Sequence, residues 1–248
     1  MNIDYPGELQ IKQSICEICD KGIKKPDTCF SFIKNMTKNL GIEKIFHGVY
    51  CVIFIGFLVM AVIYSILSYL MRSMPNADNI VYLSAFLTSP LLFSILFFLS
   101  YVKEKSSDFF LIKMTCKYTF FHLMAYRMFI FSLLSVITNS FYILFLAVKL
   151  NISVISVLSI SMSALFVYSA CLVIFLIRFS SIKAPILLSV LWCLIHLLFF
   201  VLQTGYFITI LKAVPVIVWG IIAVVSTIIY LKKLPQIALK GRNIYAYN

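Results

Sequence analysis

Between positions 49 and 71 the chain runs for 23 residues without one charged side chain, and such runs recur nearly to its end. A helix rises 1.5 Å per residue, so about 20 apolar residues cross a hydrocarbon core of about 30 Å. Four runs meet that length: 49–71, 80–102, 128–148 and 152–177. The stretch 184–231 is too long for a single crossing. It is interrupted at Gln203-Thr204-Gly205 and at Lys212-Ala213-Val214-Pro215, and divides into 185–202 and 215–231. Each of these two opens on a proline, which suits a first helical turn where no donor is needed. Pro90, inside the second run, predicts a kink. Residues 205–211 are left at the outer surface, as a short re-entrant or interfacial piece.

Composition agrees with lipid as part of the solvent. Of 248 residues 62% are hydrophobic and 12% charged, where a soluble domain carries nearer a quarter charged. A net charge of +12 would point to nucleic acid in a polar protein. Here it is explained by charge flanking the spans, and no polar basic domain offers a nucleic acid a seat. The opening Met1-Asn2-Ile3-Asp4-Tyr5-Pro6 lacks the basic start of a signal peptide, so the run from 49 is expected to be retained. Seven cysteines, some inside apolar runs, do not form a disulfide framework. Cys16-Glu17-Ile18-Cys19 has metal-site spacing and Cys29 follows, but no fourth ligand is close. Reduced thiols are expected, with no metal and no cofactor.

Lysine and arginine set the orientation. Seven precede the first span, five lie between the second and third, two between the fourth and fifth, and four after the sixth. That places 18 on one side, against Arg72, Lys149 and Lys212 on the other. Short loops rich in Lys and Arg stay in the cytoplasm, so both termini face inward. The expected fold is an all-α integral membrane protein with six transmembrane helices. Residues 1–47 form a cytoplasmic N-terminus, 48–231 the membrane domain and 232–248 a cytoplasmic tail.

Within these spans no Asp, Glu, Lys or Arg occurs, and His196 is the ionisable group deepest in one. Ion-coupled carriers take up charge midway through the membrane, so independent secondary transport is disfavoured. The chain has no H-E-x-x-H, no G-x-S-x-G, no paired aspartates and no G-x-x-x-x-G-K-[ST] loop. It is therefore not expected to be an enzyme, and any energy for work comes from a partner. Ser153, Ser156, Ser159 and Ser163 recur at steps of three and four. They share one helix face, which suits close packing through small residues or a polar path. Tyr50, Tyr69, Tyr82, Tyr101, Tyr206 and Tyr230 fall near span ends, as an interfacial belt requires.

Two segments outside the spans carry most of the functional information. In 31–47, Phe32, Ile33, Met36 and Leu40 follow helical spacing with Lys34 and Lys38 on another face. This predicts an amphipathic helix on the inner leaflet. In 103–127, Ser107 or Asp108 can cap a short helix through Met114, and Thr119 can cap the helix leading into span three. A loop that merely returned the chain has no need of Phe109, Phe110, Leu111 and Ile112. Such exposed apolar residues suit docking or a seat among the headgroups.

The surface helix, six spans with both ends inside, the short helix in the second-to-third loop and the small external element resemble the membrane subunits of type-2 ABC exporters. Lys113-Met114-Thr115-Cys116-Lys117-Tyr118-Thr119 through Ala125-Tyr126-Arg127 is similar to the same loop in small permease-like proteins of low-GC Gram-positive bacteria. Those proteins often carry Glu-Leu-Glu where Asp108-Phe109-Phe110-Leu111-Ile112-Lys113 stands here. The resemblance implies a multi-pass subunit of the bacterial cytoplasmic membrane, paired with itself or a second permease and driven by separate ATPase chains. It also implies that the segment 108–113 is the element that docks in the ATPase, and that the cargo is a peptide, antibiotic or lipid. The alternative is a non-transporting membrane regulator, sensor or immunity protein whose N-terminus binds a cytosolic partner.

Overall fold

The computed structural model describes residues 29–40, 49–73, 77–106, 120–150, 152–178, 183–201, 209, 211 and 213–243. Seven helices organise them: α1 Cys29–Leu40, α2 Tyr50–Ser73, α3 Ala77–Lys105, α4 Phe120–Leu150, α5 Val154–Arg178, α6 Lys183–Val201 and α7 Val216–Asn243. Among the described residues there is no strand. Five helices, α2, α3, α4, α5 and α7, are long and apolar enough to cross a membrane, and the architecture fits a multi-pass α-helical membrane protein. In α6 the apolar stretch among the described residues is Ile186–Ile195, shorter than a crossing.

Several helices outrun the expected spans because hydrogen bonding does not stop where the apolar run does. Helix α3 continues to Lys105 and α4 begins at Phe120. This carries Glu104 into α3, past the span expected to end at 102, and puts Arg127 in the helix expected to lead into span three. Helix α7 passes through Pro235 to Asn243. Tyr230 is therefore not at a helix end: it is fully buried, with its ring 6.5 Å from Phe93 and 6.4 Å from Phe166. It belongs to the core and not to an interfacial belt. Tyr50 and Tyr69 are exposed as a belt requires, while Tyr206 lies outside the described residues. Pro215 stands just before α7, and its carbonyl accepts the Val218 amide at 2.9 Å.

One large core joins the helices. Leu92, Phe93, Leu96 and Phe97 of α3 meet Met124, Met128 and Phe131 of α4, Leu165 and Leu172 of α5, and Leu234 and Ile237 of α7. Helix α7 packs chiefly on α5, and α3 touches α2, α4, α5 and α6. The outward sides of α2 and α7 carry Phe54, Leu58, Val62, Ile217, Ile221 and Val224, all well exposed. A side of that composition is suited to lipid.

The N-terminal helix forms as its spacing predicts, and two residues of its apolar face pack on the bundle. Met36 is 1% exposed and belongs to the bundle core, with Ile33 packed against it. The Thr37 hydroxyl lies 3.0 Å from the Tyr126 hydroxyl of α4. Met36 is thus covered by protein and not by the leaflet, and Ile33 is partly covered. The side chains of Phe32 and Leu40 are outside the described residues.

Two glycines provide a matched test of this packing. A Cβ on Gly56 of α2 would lie 2.6 Å from Leu96 Cδ2, while one on Gly220 of α7 would meet nothing within 4 Å. Leu96 is wholly buried, so it has little room to yield. Both helices gain the same propensity from alanine, which cancels in the comparison. Gly56→Ala is expected to be less stable than Gly220→Ala by about 1–3 kcal/mol, the usual cost of overpacking, measured by thermal unfolding of the purified protein.

Candidate functional site: the polar face of α3

Helix α3 carries an unusual burden for a membrane helix. Ser84, Thr88, Ser89, Ser94, Ser100 and Glu104 are all buried along it. In lipid an unpaired polar group costs several kcal/mol, so each must find a partner inside the protein. Partners from four other helices help to form three clusters.

The first surrounds Pro90. Proline has no amide hydrogen, so the Phe86 carbonyl loses its usual helical donor. One residue before the proline, the Ser89 carbonyl accepts Asn139 Nδ2 of α4 at 2.9 Å, and Ser89 Oγ accepts it at 3.2 Å. Ser89 Oγ donates to the Ser161 carbonyl of α5 at 2.6 Å, and Ser161 Oγ donates back at 3.1 Å. The Tyr64 hydroxyl of α2 donates to Asn139 Oδ1 at 2.8 Å. Four helices meet through these four side chains, and Asn139 uses both ends of its amide.

A second cluster lies further along α3, at Ser94. The Tyr168 hydroxyl of α5 donates to Ser94 Oγ at 3.1 Å, and Ser94 Oγ donates to Ser189 Oγ of α6 at 3.2 Å. A contact between the Ser189 and Tyr168 hydroxyls closes the ring. Three hydroxyls donating in a circle leave none without a partner. This ring ties α6 to the bundle, with Trp192 of α6 edge-on to Tyr168 at 5.5 Å.

The third is ionic. Arg127 Nη1 of α4 donates to Glu104 Oε2 at 2.7 Å and reaches Ser100 Oγ at 3.4 Å. Both side chains are almost wholly buried, at 2% and 7% exposure. Beside them Tyr101 of α3 meets Phe120, the first residue of α4, at 5.6 Å. The pair therefore closes the two helix ends on either side of residues 107–119.

An open groove of about 500 Å³ lies between α2 and α4, lined by Tyr64, Ser65, Ser68, Thr138, Phe141, Tyr142 and Phe145. Tyr64 and Tyr142 stack there, centroids 3.8 Å apart. The Ser65 and Thr138 hydroxyls donate to carbonyls of their own helices, Ala61 and Leu134, each at 2.8 Å. The groove thus presents mainly apolar and aromatic surface, and through Tyr64 it touches the first polar cluster.

The four serines with a shared spacing, Ser153 just before α5 and the other three on it, are not drawn together. Ser153 is exposed, 3.4 Å from the Tyr82 hydroxyl, Ser156 and Ser159 are half-buried, and Ser163 is buried. Ser159 and Ser163 turn their hydroxyls onto Ser156 and Ile160 carbonyls at 2.9 and 2.8 Å. Ser161, two residues away from each, makes the interhelical bonds. Asp108, Phe109, Phe110, Leu111, Ile112 and Lys113 lie outside the described residues, as do Cys16, Cys19 and the side chains of Cys29 and His196. Spacing alone does not reveal Glu104, Arg127, Asn139 or Ser161. The available signals are a lone Asn in an uncharged run and a lone acid between two lysines.

Removing one member of a buried ion pair leaves the other charge without a partner and costs about 3–5 kcal/mol. Arg127→Met is therefore expected to destabilise the protein severely. The double variant Glu104→Gln, Arg127→Met should recover part of that loss, because the stranded carboxylate is gone. Unfolding in detergent, run as a double-mutant cycle, measures the coupling; strictly additive losses would contradict a direct pair. No protein-family model, curated protein or solved structure matches this chain.

Proposed function

We propose that the chain is the membrane-spanning permease subunit of an ABC transporter, an exporter of a peptide, antibiotic or lipid-like substrate powered by a separate ATPase. In this reading α2 to α7 are six crossings with both termini in the cytoplasm of a bacterial cell. The 18-to-3 partition of basic residues supports that orientation, since it requires α6 to cross as well. The working unit is a dimer, of two copies or of this chain with a second permease.

The observation that carries the proposal is the buried Glu104–Arg127 pair. It joins the helices that enter and leave the 107–119 segment, so a load on that segment is delivered to α3 and α4 together. Residues 108–113 are the docking element, with Phe109 and Phe110 its most apolar contacts. Movement of α4 against α2 would then reshape the groove at Tyr64 and Tyr142, where an amphipathic cargo can enter from the side.

Orientation is tested by thiol labelling. Cys16 and Cys29 should react with a membrane-impermeant reagent only from the cytoplasmic side, and a cysteine placed at Asn76 only from outside. Labelling of the N-terminal thiols in intact cells would overturn the inward assignment.

Docking is tested by the double change Phe109→Ser, Phe110→Ser. Burying a phenylalanine contributes about 1.5–3 kcal/mol, so losing both weakens assembly by roughly a hundred- to ten-thousand-fold. The variant should insert normally and release the ATPase on co-purification. Wild-type retention of the ATPase would remove these two residues from the contact.

A further inference from the structure

Because α1 packs Ile33 and Met36 against its own bundle, its exposed described side chains are what meet the surroundings. Phe30 is 79% exposed, and Lys34 and Lys38 are exposed at successive steps of four. At 100° per residue these three occupy one sector about 80° wide, with Phe30 at its edge nearest the buried side. Asn35 extends the exposed side further. Among its described side chains the helix therefore shows one aromatic ring, that of Phe30, beside two ammonium groups, and no acidic residue occurs between Cys29 and Leu40.

The level at which α1 sits indicates what that face touches. Thr37 bonds Tyr126, the neighbour of Arg127 and only two turns into α4. At 1.5 Å per residue, Tyr126 is about 9 Å from the helix start at Phe120. Helix α1 thus lies beside the ends of the long apolar helices, where headgroups replace hydrocarbon. Lys103 and Lys105 at the end of α3 and Arg178 at the end of α5 are exposed at the same end of the bundle. An aromatic ring suits the headgroup–acyl boundary, and lysines beside it reach phosphates along their apolar stems.

We infer that the Phe30–Lys34–Lys38 face of α1 is a binding surface for anionic phospholipid headgroups. Phe30 enters the boundary of the acyl region, and Lys34 and Lys38 draw the negative headgroups around it. The bundle side of α1 holds the helix in place through Met36 and Thr37, so the face is presented already ordered and binding does not have to fold it. The inference rests on α2 to α7 being the membrane bundle. It does not depend on a transport function or on an ATPase.

The test uses the full chain carrying Phe30→Trp, reconstituted in vesicles of phosphatidylcholine and phosphatidylglycerol. Either lipid is brominated in turn as a quencher, and the wild-type chain supplies the background of Trp192 and Trp219. The introduced indole should be quenched by both, and more strongly by brominated phosphatidylglycerol. Two lysines near an anionic surface correspond to a local enrichment of up to about thirtyfold. That preference should vanish in Lys34→Gln, Lys38→Gln, diminish at high salt, and survive in Lys34→Arg, Lys38→Arg. Both lysines are exposed, so unchanged thermal unfolding shows the glutamine variant is folded. Equal quenching by the two lipids would overturn the headgroup preference. No quenching by either would show a face turned to water or to another protein, and a preference that persists without the lysines would remove their role.

Discussion

Glu104 and Arg127 bear opposite charges where neither has water, and much of the bundle follows from their need for each other. Taking one such ion out of water costs several kcal/mol even after relaxation, so an arrangement that separates them is strongly disfavoured. Their contact at 2.7 Å sets the register of α3 against α4 at one end. Asn139 and Ser89 set it again near the middle of both helices. These ties are 15 residues apart on α3 and 12 on α4, or about 20 Å at 1.5 Å per residue. Between them Phe93, Leu96, Met128 and Phe131 belong to the apolar core. Lipid tails are as apolar as those side chains, so the hydrophobic effect alone does not decide which helix lies where. The polar ties, each with few alternative partners, supply that specificity.

The same end of α4 serves a second element. Tyr126 bonds Thr37 of α1, and the next residue, Arg127, bonds Glu104 of α3. The N-terminal helix, the end of α3 and the start of α4 are therefore joined through two consecutive residues. The segment 107–119 begins and ends at this junction. A partner acting on that segment, or a membrane surface acting on α1, addresses the same corner of the bundle. This shared corner gives the proposed coupling between a cytosolic partner and the α2–α4 groove a physical route.

Much of the helical frame is legible from the sequence, because length without charge is a direct consequence of the solvent. The runs 49–71, 80–102, 128–148, 152–177 and 215–231 all fall largely within long apolar helices. The ends are less legible. Hydropathy ends a span where charge appears, yet a charge with a partner can remain helical and buried, as Glu104 and Arg127 do. The polar interior is harder still. A three- and four-residue spacing identifies one face of α5, but a serine hydroxyl can satisfy itself on its own helix, as Ser159 and Ser163 do. Which serine reaches across depends on what stands opposite. Ser161 faces Ser89, which the Pro90 region and Asn139 bring to it, and that juxtaposition exists only in three dimensions. Likewise the apolar spacing of α1 yields its helix but not the identity of the surface covering Met36.

The central functional claim is that this bundle is moved by a separate ATPase. The most direct measurement is mild purification of the wild-type chain from its native membrane, with identification of what travels with it and assay of ATP hydrolysis. A bundle moved in this way should bring with it a stoichiometric ATP-binding-cassette subunit and hydrolysis that is lost when that subunit is stripped away. Recovery of the chain with no ATPase, or with a regulatory or toxin protein in its place, would contradict the transporter reading and favour a membrane regulator.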